Sequence, residues 1–107
     1  MPDPLKHIPP KFKRWKPRWR LYIVKEPGTG FYKVGITSQP MRARLSGLQV
    51  GNPRPLVRVA MRECASAQDA RAKELEYLRI VWQEGRGAES EWFTGTDELA
   101  TALLFSI

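Results

Sequence analysis

The sequence predicts one α+β domain, in which a small three-stranded antiparallel sheet packs against helices in the order β-β-α-β-α-α. Two alternating apolar segments on either side of a Gly-Pro turn are typical of a β-hairpin. Segments with helical spacing then lie on both sides of a third strand-like segment, which favours helices packed on an antiparallel sheet. The chain has 107 residues, enough for one modest hydrophobic core.

The hairpin is predicted from residues 21–25 and 31–37, which are rich in strand-forming side chains. The turn between them, residues 26–30, contains one proline and two glycines. Successive side chains of a strand lie on opposite faces. If the apolar side chains pack together on one face, Tyr22 and Lys33 share the other. Directly paired residues must then have numbers that sum to an odd value, such as 57.

The middle of the chain is predicted to hold a helix and a third strand. The helix runs from Pro40 to Val50, with Met41, Leu45 and Leu48 on one face. The segment Gly51-Asn52-Pro53 ends this helix. The third strand is predicted from Leu56 to Met61.

The last third of the chain is predicted to be helical on both sides of a loop. Ser66 and Asp69 resemble a capping box, so the second helix begins there and runs to about residue 82. Residues 83–90 are predicted to form a loop that contains two glycines. A short helix from 97 to 105 completes the domain, capped by the residue before it.

Positive charge is concentrated at the N-terminus. The net charge of +7 divides into +6 over residues 1–20 and +1 over residues 21–107. We therefore separate a basic, proline-rich arm, residues 1–19, from a folded domain, residues 20–107. Cationic side chains in an arm favour phosphate binding, and interleaved aromatic rings can stack on bases. The expected nucleic-acid-binding residues of the arm are Lys11, Lys13, Arg14, Trp15, Lys16 and Arg18.

The composition also excludes several classes of protein and site. Cys64 is the only cysteine, so an intramolecular disulfide and a cysteine-based zinc site are excluded. His7 is the only histidine and lies in the arm, which argues against histidine-dependent metal nucleases and Ser-His hydrolases. No apolar segment approaches the roughly 20 residues of a membrane span, and no secretory signal is recognisable, so we expect a cytoplasmic protein without a membrane partner.

Four motifs occur in an order that resembles the GIY-YIG endonuclease superfamily. RLYIV at 20–24 and YKVGIT at 32–37 resemble the paired GIY and YIG motifs. GITSQPMRARLSGLQVGNP at 35–53 and SEWF at 90–93 are similar to a branch with KIGIT, LQTGNP and GEWF motifs, which includes the meiotically up-regulated gene 113 family and bacteriophage proteins. The resemblance implies a GIY-YIG-like fold and a metal-dependent endonuclease, with DNA as the expected substrate.

The resemblance assigns site residues to the hairpin and to the first helix. Tyr22 matches the tyrosine of GIY, although Arg20 replaces its glycine. Lys33 stands where other branches carry the tyrosine of YIG. Arg44 matches the catalytic arginine, and its neighbour Arg42 is a further candidate for nucleic-acid binding.

The metal-binding glutamate has two candidates, Glu74 and Glu76, on the second helix. At 100° per residue, Glu74 lies within the apolar stripe expected to face the sheet, which comprises Leu75, Tyr77, Leu78, Val81 and Trp82. Glu76 lies about 200° away, beside Arg79 and Gln83. A carboxylate on an inward face is unfavourable unless it is paired or binds a cation, which selects Glu74.

The implied chemistry is phosphodiester hydrolysis assisted by Mg²⁺ or Mn²⁺. Glu74 would hold the cation, and Arg44 would donate to phosphate oxygens. Tyr22 or Lys33 would help to deprotonate the attacking water. A single metal ligand is a weak site, so metal affinity should depend on substrate.

Activity itself stays open at this point. An active endonuclease is the first interpretation. A catalytically inactive nucleic-acid-binding module is the alternative, because Leu48 stands where the family often has a histidine or tyrosine, and because the GIY glycine is replaced. A protein-interaction domain is a weaker third. The sequence does not distinguish DNA from RNA, and it leaves room for a protein partner or a homo-oligomer.

Overall fold

Residues 18–107 are described by a computed structural model, and the predicted α+β class is confirmed. Within these residues the chain forms four strands and three helices. In chain order they are β1 (Trp19–Glu26), β2 (Phe31–Thr37), α1 (Met41–Val50), β3 (Val57–Cys64), α2 (Ala67–Gln83), β4 (Trp92–Thr94) and α3 (Asp97–Ser106). The contacts expected for Lys11, Lys13, Arg14, Trp15 and Lys16 lie outside the described residues.

The sheet has the order β3-β1-β2-β4, and every neighbouring pair is antiparallel. The prediction of three strands was therefore wrong by one strand. β4 has only three residues, too few for a recognisable alternation, and it forms by pairing Phe93 with Tyr32 and Trp92 with Lys33 on the edge of β2. β3 also extends beyond its predicted end at Met61, because the added residues pair with the start of β1.

The predicted hairpin register is confirmed. Tyr22 pairs with Gly35, so the residue numbers sum to 57. Between the strands, Gly28 and Gly30 have φ angles of 80° and 78°, a left-handed conformation that glycine adopts without strain. The register places Leu21, Ile23 and Val34 on one face of the sheet. There they are buried against side chains of the last two helices, which are Tyr77 and Val81 of α2 and Ala100 and Leu104 of α3.

The opposite face of the sheet is covered by α1. Tyr22 and Val24 are buried there against Met41, and Leu45 and Leu48 pack around them. The apolar face predicted for this helix is thus confirmed. The two faces of β1 are both buried, which makes this strand the centre of the fold.

The helix α2 differs in part from its predicted orientation. The predicted N-cap is confirmed, because the Ser66 hydroxyl accepts a hydrogen bond of 3.0 Å from the backbone N–H of Asp69. Leu75 and Trp82, expected to face the sheet, are 61% and 50% exposed. That part of the prediction was wrong, because the buried stripe of α2 is centred on Ala70, Tyr77 and Val81 and leaves the edge that carries Leu75 and Trp82 outside the core.

The helix α3 is capped and anchored by side chains of its first turn. The Thr96 hydroxyl accepts a hydrogen bond from the backbone N–H of Leu99, as predicted. The Asp97 carboxylate accepts hydrogen bonds from Lys25 Nζ (3.0 Å) and from the Tyr32 hydroxyl (2.6 Å), which fastens α3 to the hairpin. In residues 18–107 no helix combines the length and the apolar character that crossing a bilayer requires.

Candidate active site

Tyr22 and Arg44 form one half of the site. Arg44 lies in the second turn of α1 and donates a hydrogen bond of 3.2 Å from Nε to the Tyr22 hydroxyl. Tyr22 has no solvent exposure, because α1 packs over it. Within residues 18–107, the two terminal nitrogens of Arg44 make no hydrogen bond or ion pair. The buried phenol therefore positions the guanidinium and leaves its outer edge available to a ligand.

Gly35 provides the space that the Tyr22 ring occupies. A Cβ atom at Gly35 would lie 2.3 Å from the tyrosine hydroxyl and 2.5 Å from its Cζ. The two residues are direct partners in the hairpin. The glycine of the YKVGIT motif is thus required by close packing.

Lys33 lies on the same face as Tyr22, as predicted, but its partner is Glu91. Lys33 Nζ lies 2.6 Å from Glu91 Oε2, and it is 5.7 Å from the centroid of the Trp92 ring. The side chains are 14% exposed for Lys33 and 41% exposed for Glu91. The backbone carbonyl of Glu91 also accepts a hydrogen bond of 3.2 Å from the N–H of Val34.

Glu91 is the residue of the site that the sequence analysis missed. It belongs to the SEWF motif, which was recognised, but the strand that follows it was not predicted. Without β4 there was no reason to place Glu91 beside Lys33. The only available signal was an acidic residue inside a motif whose role was unassigned.

Glu74 lies within electrostatic range of the other site residues. It is half-buried, and its carboxylate makes no hydrogen bond or ion pair with the described part of the chain. Burial raises the pKa of Glu74, and the charge of Glu91 raises it further. Arg71, Lys33 and Arg44 act in the opposite direction. Glu74 is thus a carboxylate whose ionised form lacks a direct partner among residues 18–107.

Glu76 has a different environment, as the helical geometry predicted. Arg79 donates a hydrogen bond of 2.9 Å from Nε to Glu76 Oε2, and a second of 2.8 Å from Nη1 to Gln83. The hydrogen bond from Arg79 lowers the pKa of Glu76. The Glu76 side chain is 44% exposed. Its charge is therefore satisfied on the outer surface of α2.

A family model, the T5orf172 domain, matches residues 20–105, a range that includes Tyr22, Lys33, Arg44 and Glu74. The chain belongs to the T5orf172 domain family. T5orf172 domains are phage-associated and related to GIY-YIG-like and HNH-type nucleases, so this one is a nuclease-like or nucleic-acid-binding module. Comparison of the chain with curated proteins and with solved structures found no match.

Three further arginines, two in the T5orf172 domain and one just before it, lie outside the group formed by Tyr22, Lys33, Arg44 and Glu74. Arg42 is exposed on α1, and Arg18 is exposed and 3.4 Å from Glu63. Arg20 lies on the face of Tyr22, and its buried Nε has no hydrogen-bond partner in residues 18–107. Tyr22 and Arg44 are thus joined by a hydrogen bond, and Glu74 lies within electrostatic range of Lys33 and Arg44, whereas Arg18 and Arg42 are surface cations.

Proposed function

We propose that this T5orf172 domain is a metal-dependent endonuclease that hydrolyses phosphodiester bonds of DNA. The observation that carries the proposal is the environment of Glu74. A half-buried carboxylate, unpaired within residues 18–107, lies within electrostatic range of Lys33 and Arg44, and its pKa is raised. Perturbed carboxylates beside cations are characteristic of sites that perform chemistry.

Glu74 fits a hard divalent cation such as Mg²⁺ or Mn²⁺. The carboxylate offers oxygen ligands, and burial disfavours its negative charge until a positive charge compensates it. Within residues 18–107, no group of three or more His, Cys, Asp or Glu side chains could hold a metal ion. Most ligands would have to come from water and phosphate. When bound, the cation would polarise the scissile phosphate and stabilise the leaving oxygen.

Arg44 is suited to bind the same phosphate. Its Nε is held by Tyr22, so the guanidinium plane is fixed while both terminal nitrogens can donate to phosphate oxygens. Donors that are positioned in advance stabilise charge as it develops in the transition state. Arg44 therefore contributes to binding and to catalysis.

The proton of the attacking water has two candidate acceptors, Tyr22 and Lys33. Full burial of Tyr22 favours Lys33, because the phenol cannot contact a water molecule without moving α1. Lys33 can accept this proton only after it has passed one of its own to the Glu91 carboxylate beside it. We assign Glu91 the role of positioning the Lys33 nitrogen through their 2.6 Å contact.

The second candidate function is a catalytically inactive nucleic-acid-binding module. One observation favours it. Leu48, which occupies a family position for histidine or tyrosine, packs into the apolar cluster around Tyr22 and Val24, so it supplies no proton-transfer group there.

A plasmid-nicking assay distinguishes the two functions. Wild-type protein, Glu74→Ala and Glu76→Ala are compared in Mg²⁺, Mn²⁺ and EDTA, and DNA binding is measured in parallel. We expect cleavage by the wild type and by Glu76→Ala, and none by Glu74→Ala, with binding retained in all three. Binding without cleavage by the wild type in either metal would support the inactive module.

A further inference from the structure

A cleft lies beside the candidate active site, on the face of the sheet that carries Tyr22 and Lys33. Its volume is about 450 Å³, within the range of about 300–1,000 Å³ typical of ligand pockets. The residues that decide its chemistry are Glu26, Phe31, Asn52, Arg54, Glu89 and Trp92. None of them belongs to the cluster around Tyr22 and Arg44.

The cleft is continuous with the position of Lys33. Phe31 lies two residues before Lys33 on β2, so both side chains share one face at a separation of about 7 Å along the strand. Trp92 is the direct cross-strand partner of Lys33, with its ring 5.7 Å from the lysine nitrogen. A nucleic-acid strand that places a phosphate in the candidate active site can therefore place a neighbouring nucleotide in the cleft.

One wall of the cleft is held in place by the loop after α1. The Gln49 side chain donates hydrogen bonds to the carbonyls of Asn52 (2.9 Å) and Arg54 (2.8 Å) and accepts one of 2.9 Å from the N–H of Leu56. Asn52 Nδ2 donates a hydrogen bond of 3.2 Å to Glu26 Oε1. The glutamine and asparagine of the LQVGNP motif thus form this wall before any ligand binds.

The chemistry of the cleft suits a base better than a phosphate. Phe31 is 39% exposed, and Trp92 is partly exposed beside it. Flat aromatic surfaces stack on nucleobases irrespective of sequence. Among the described residues that line the cleft, Arg54 is the one cation, against the carboxylates of Glu26 and Glu89. This balance disfavours a phosphate and provides acceptors for exocyclic amino groups.

We propose that the cleft binds one unpaired nucleobase of the substrate strand, stacked against Phe31 and Trp92. The carboxylates favour cytosine, adenine and guanine over thymine and uracil, because only the first three carry an exocyclic amino group. This proposal rests on the proposed function, because the path of the nucleic-acid strand is taken from its phosphate at the candidate active site. It names the substrate as nucleic acid that is single-stranded or locally unpaired beside the scissile bond.

The test measures binding in EDTA, so that no cleavage contributes. Fluorescence anisotropy follows labelled oligo(dA), oligo(dC), oligo(dT) and an abasic oligomer of equal length. Phe31→Ala and Trp92→Ala are expected to weaken binding of oligo(dA) and oligo(dC) by about 5- to 150-fold, the range of base–aromatic stacking, and to leave the abasic oligomer unaffected. Phe105→Ala is the matched control, because Phe105 is 58% exposed on α3, away from the cleft.

Three results would overturn the proposal. They are an equal loss of affinity for the abasic oligomer, an unchanged affinity of Phe31→Ala for all oligomers, and no binding of any oligomer by the wild type. Melting curves verify that the variants are folded, and Phe31→Ala keeps the test decisive if Trp92→Ala destabilises β4. Plasmid nicking is scored separately. Base-dependent binding without cleavage would refute only the nuclease, and cleavage with unaltered oligomer binding by Phe31→Ala would refute only the base-binding cleft.

Discussion

Substitution of Gly35 by alanine tests the packing on which the site depends. The added Cβ would lie 2.3, 2.5 and 2.9 Å from the hydroxyl, Cζ and Cε1 of Tyr22, all below the 3.0 Å that real Cβ contacts respect. The ring cannot move away freely, because Tyr22 is fully buried against Val24 and Met41.

The magnitude of this effect follows from two opposing contributions. Overpacking of a core costs about 1–3 kcal/mol, and three overlaps with a rigid ring place this site near the upper value. Replacement of glycine by alanine in a strand recovers about 0.5–1 kcal/mol of conformational entropy. The net loss of about 2 kcal/mol corresponds to a decrease in Tm of about 8–16 °C for a domain of this size.

The assay combines thermal denaturation with plasmid nicking at a temperature where the variant is fully folded. We expect Gly35→Ala to melt earlier and to cut more slowly, because displacement of the Tyr22 hydroxyl releases Arg44. Gly47→Ala is the control: within residues 18–107 a Cβ at Gly47 would have no neighbouring atom inside 4 Å, so the helix should gain about 1 kcal/mol. An unchanged Tm for Gly35→Ala together with wild-type cleavage would refute the idea that Tyr22 needs this space.

Further predictions concern charge. Glu74→Gln should abolish metal-dependent cleavage yet raise Tm at neutral pH, because the raised pKa of Glu74 means that its ionised form destabilises the fold. Melting curves at several pH values should show that this gain in Tm vanishes as the pH falls through the pKa of Glu74 towards the ordinary glutamate value of 4.5. Arg44→Ala should weaken both DNA binding and cleavage, and loss of cleavage alone would contradict a ground-state phosphate contact. Glu91→Gln should reduce kcat with little effect on DNA binding, since it releases the Lys33 nitrogen without removing a cation. Residues 1–17 contain five lysines and arginines. Their deletion should reduce the slope of log K for DNA binding against log salt concentration by about 0.9 for each phosphate that the arm neutralises, and should leave Tm nearly unchanged. An unaltered slope would exclude the arm from binding.

Local periodicity determined those parts of the site that depend on one element or one pair of adjacent strands. The alternation of residues 21–25 and 31–37 was sufficient to place Tyr22 and Lys33 on one face, because a register shift by one residue would have exposed the apolar side chains. The helical repeat separated Glu74 from Glu76 for the same reason, since a buried face admits few charges.

Only the tertiary structure decided which elements meet. β4 exists because β2 offers an unpaired edge, and three residues carry too little pattern to reveal it. The tertiary structure alone joins residues far apart in the sequence in three places: the contact between Lys33 and Glu91, the hydrogen bond from Arg44 to Tyr22, and the cleft beside Trp92. Leu75 remained exposed because the width of the buried stripe on α2 is set by what packs against the helix. Periodicity gives the direction of a side chain, whereas its partner depends on long-range packing that no local window contains.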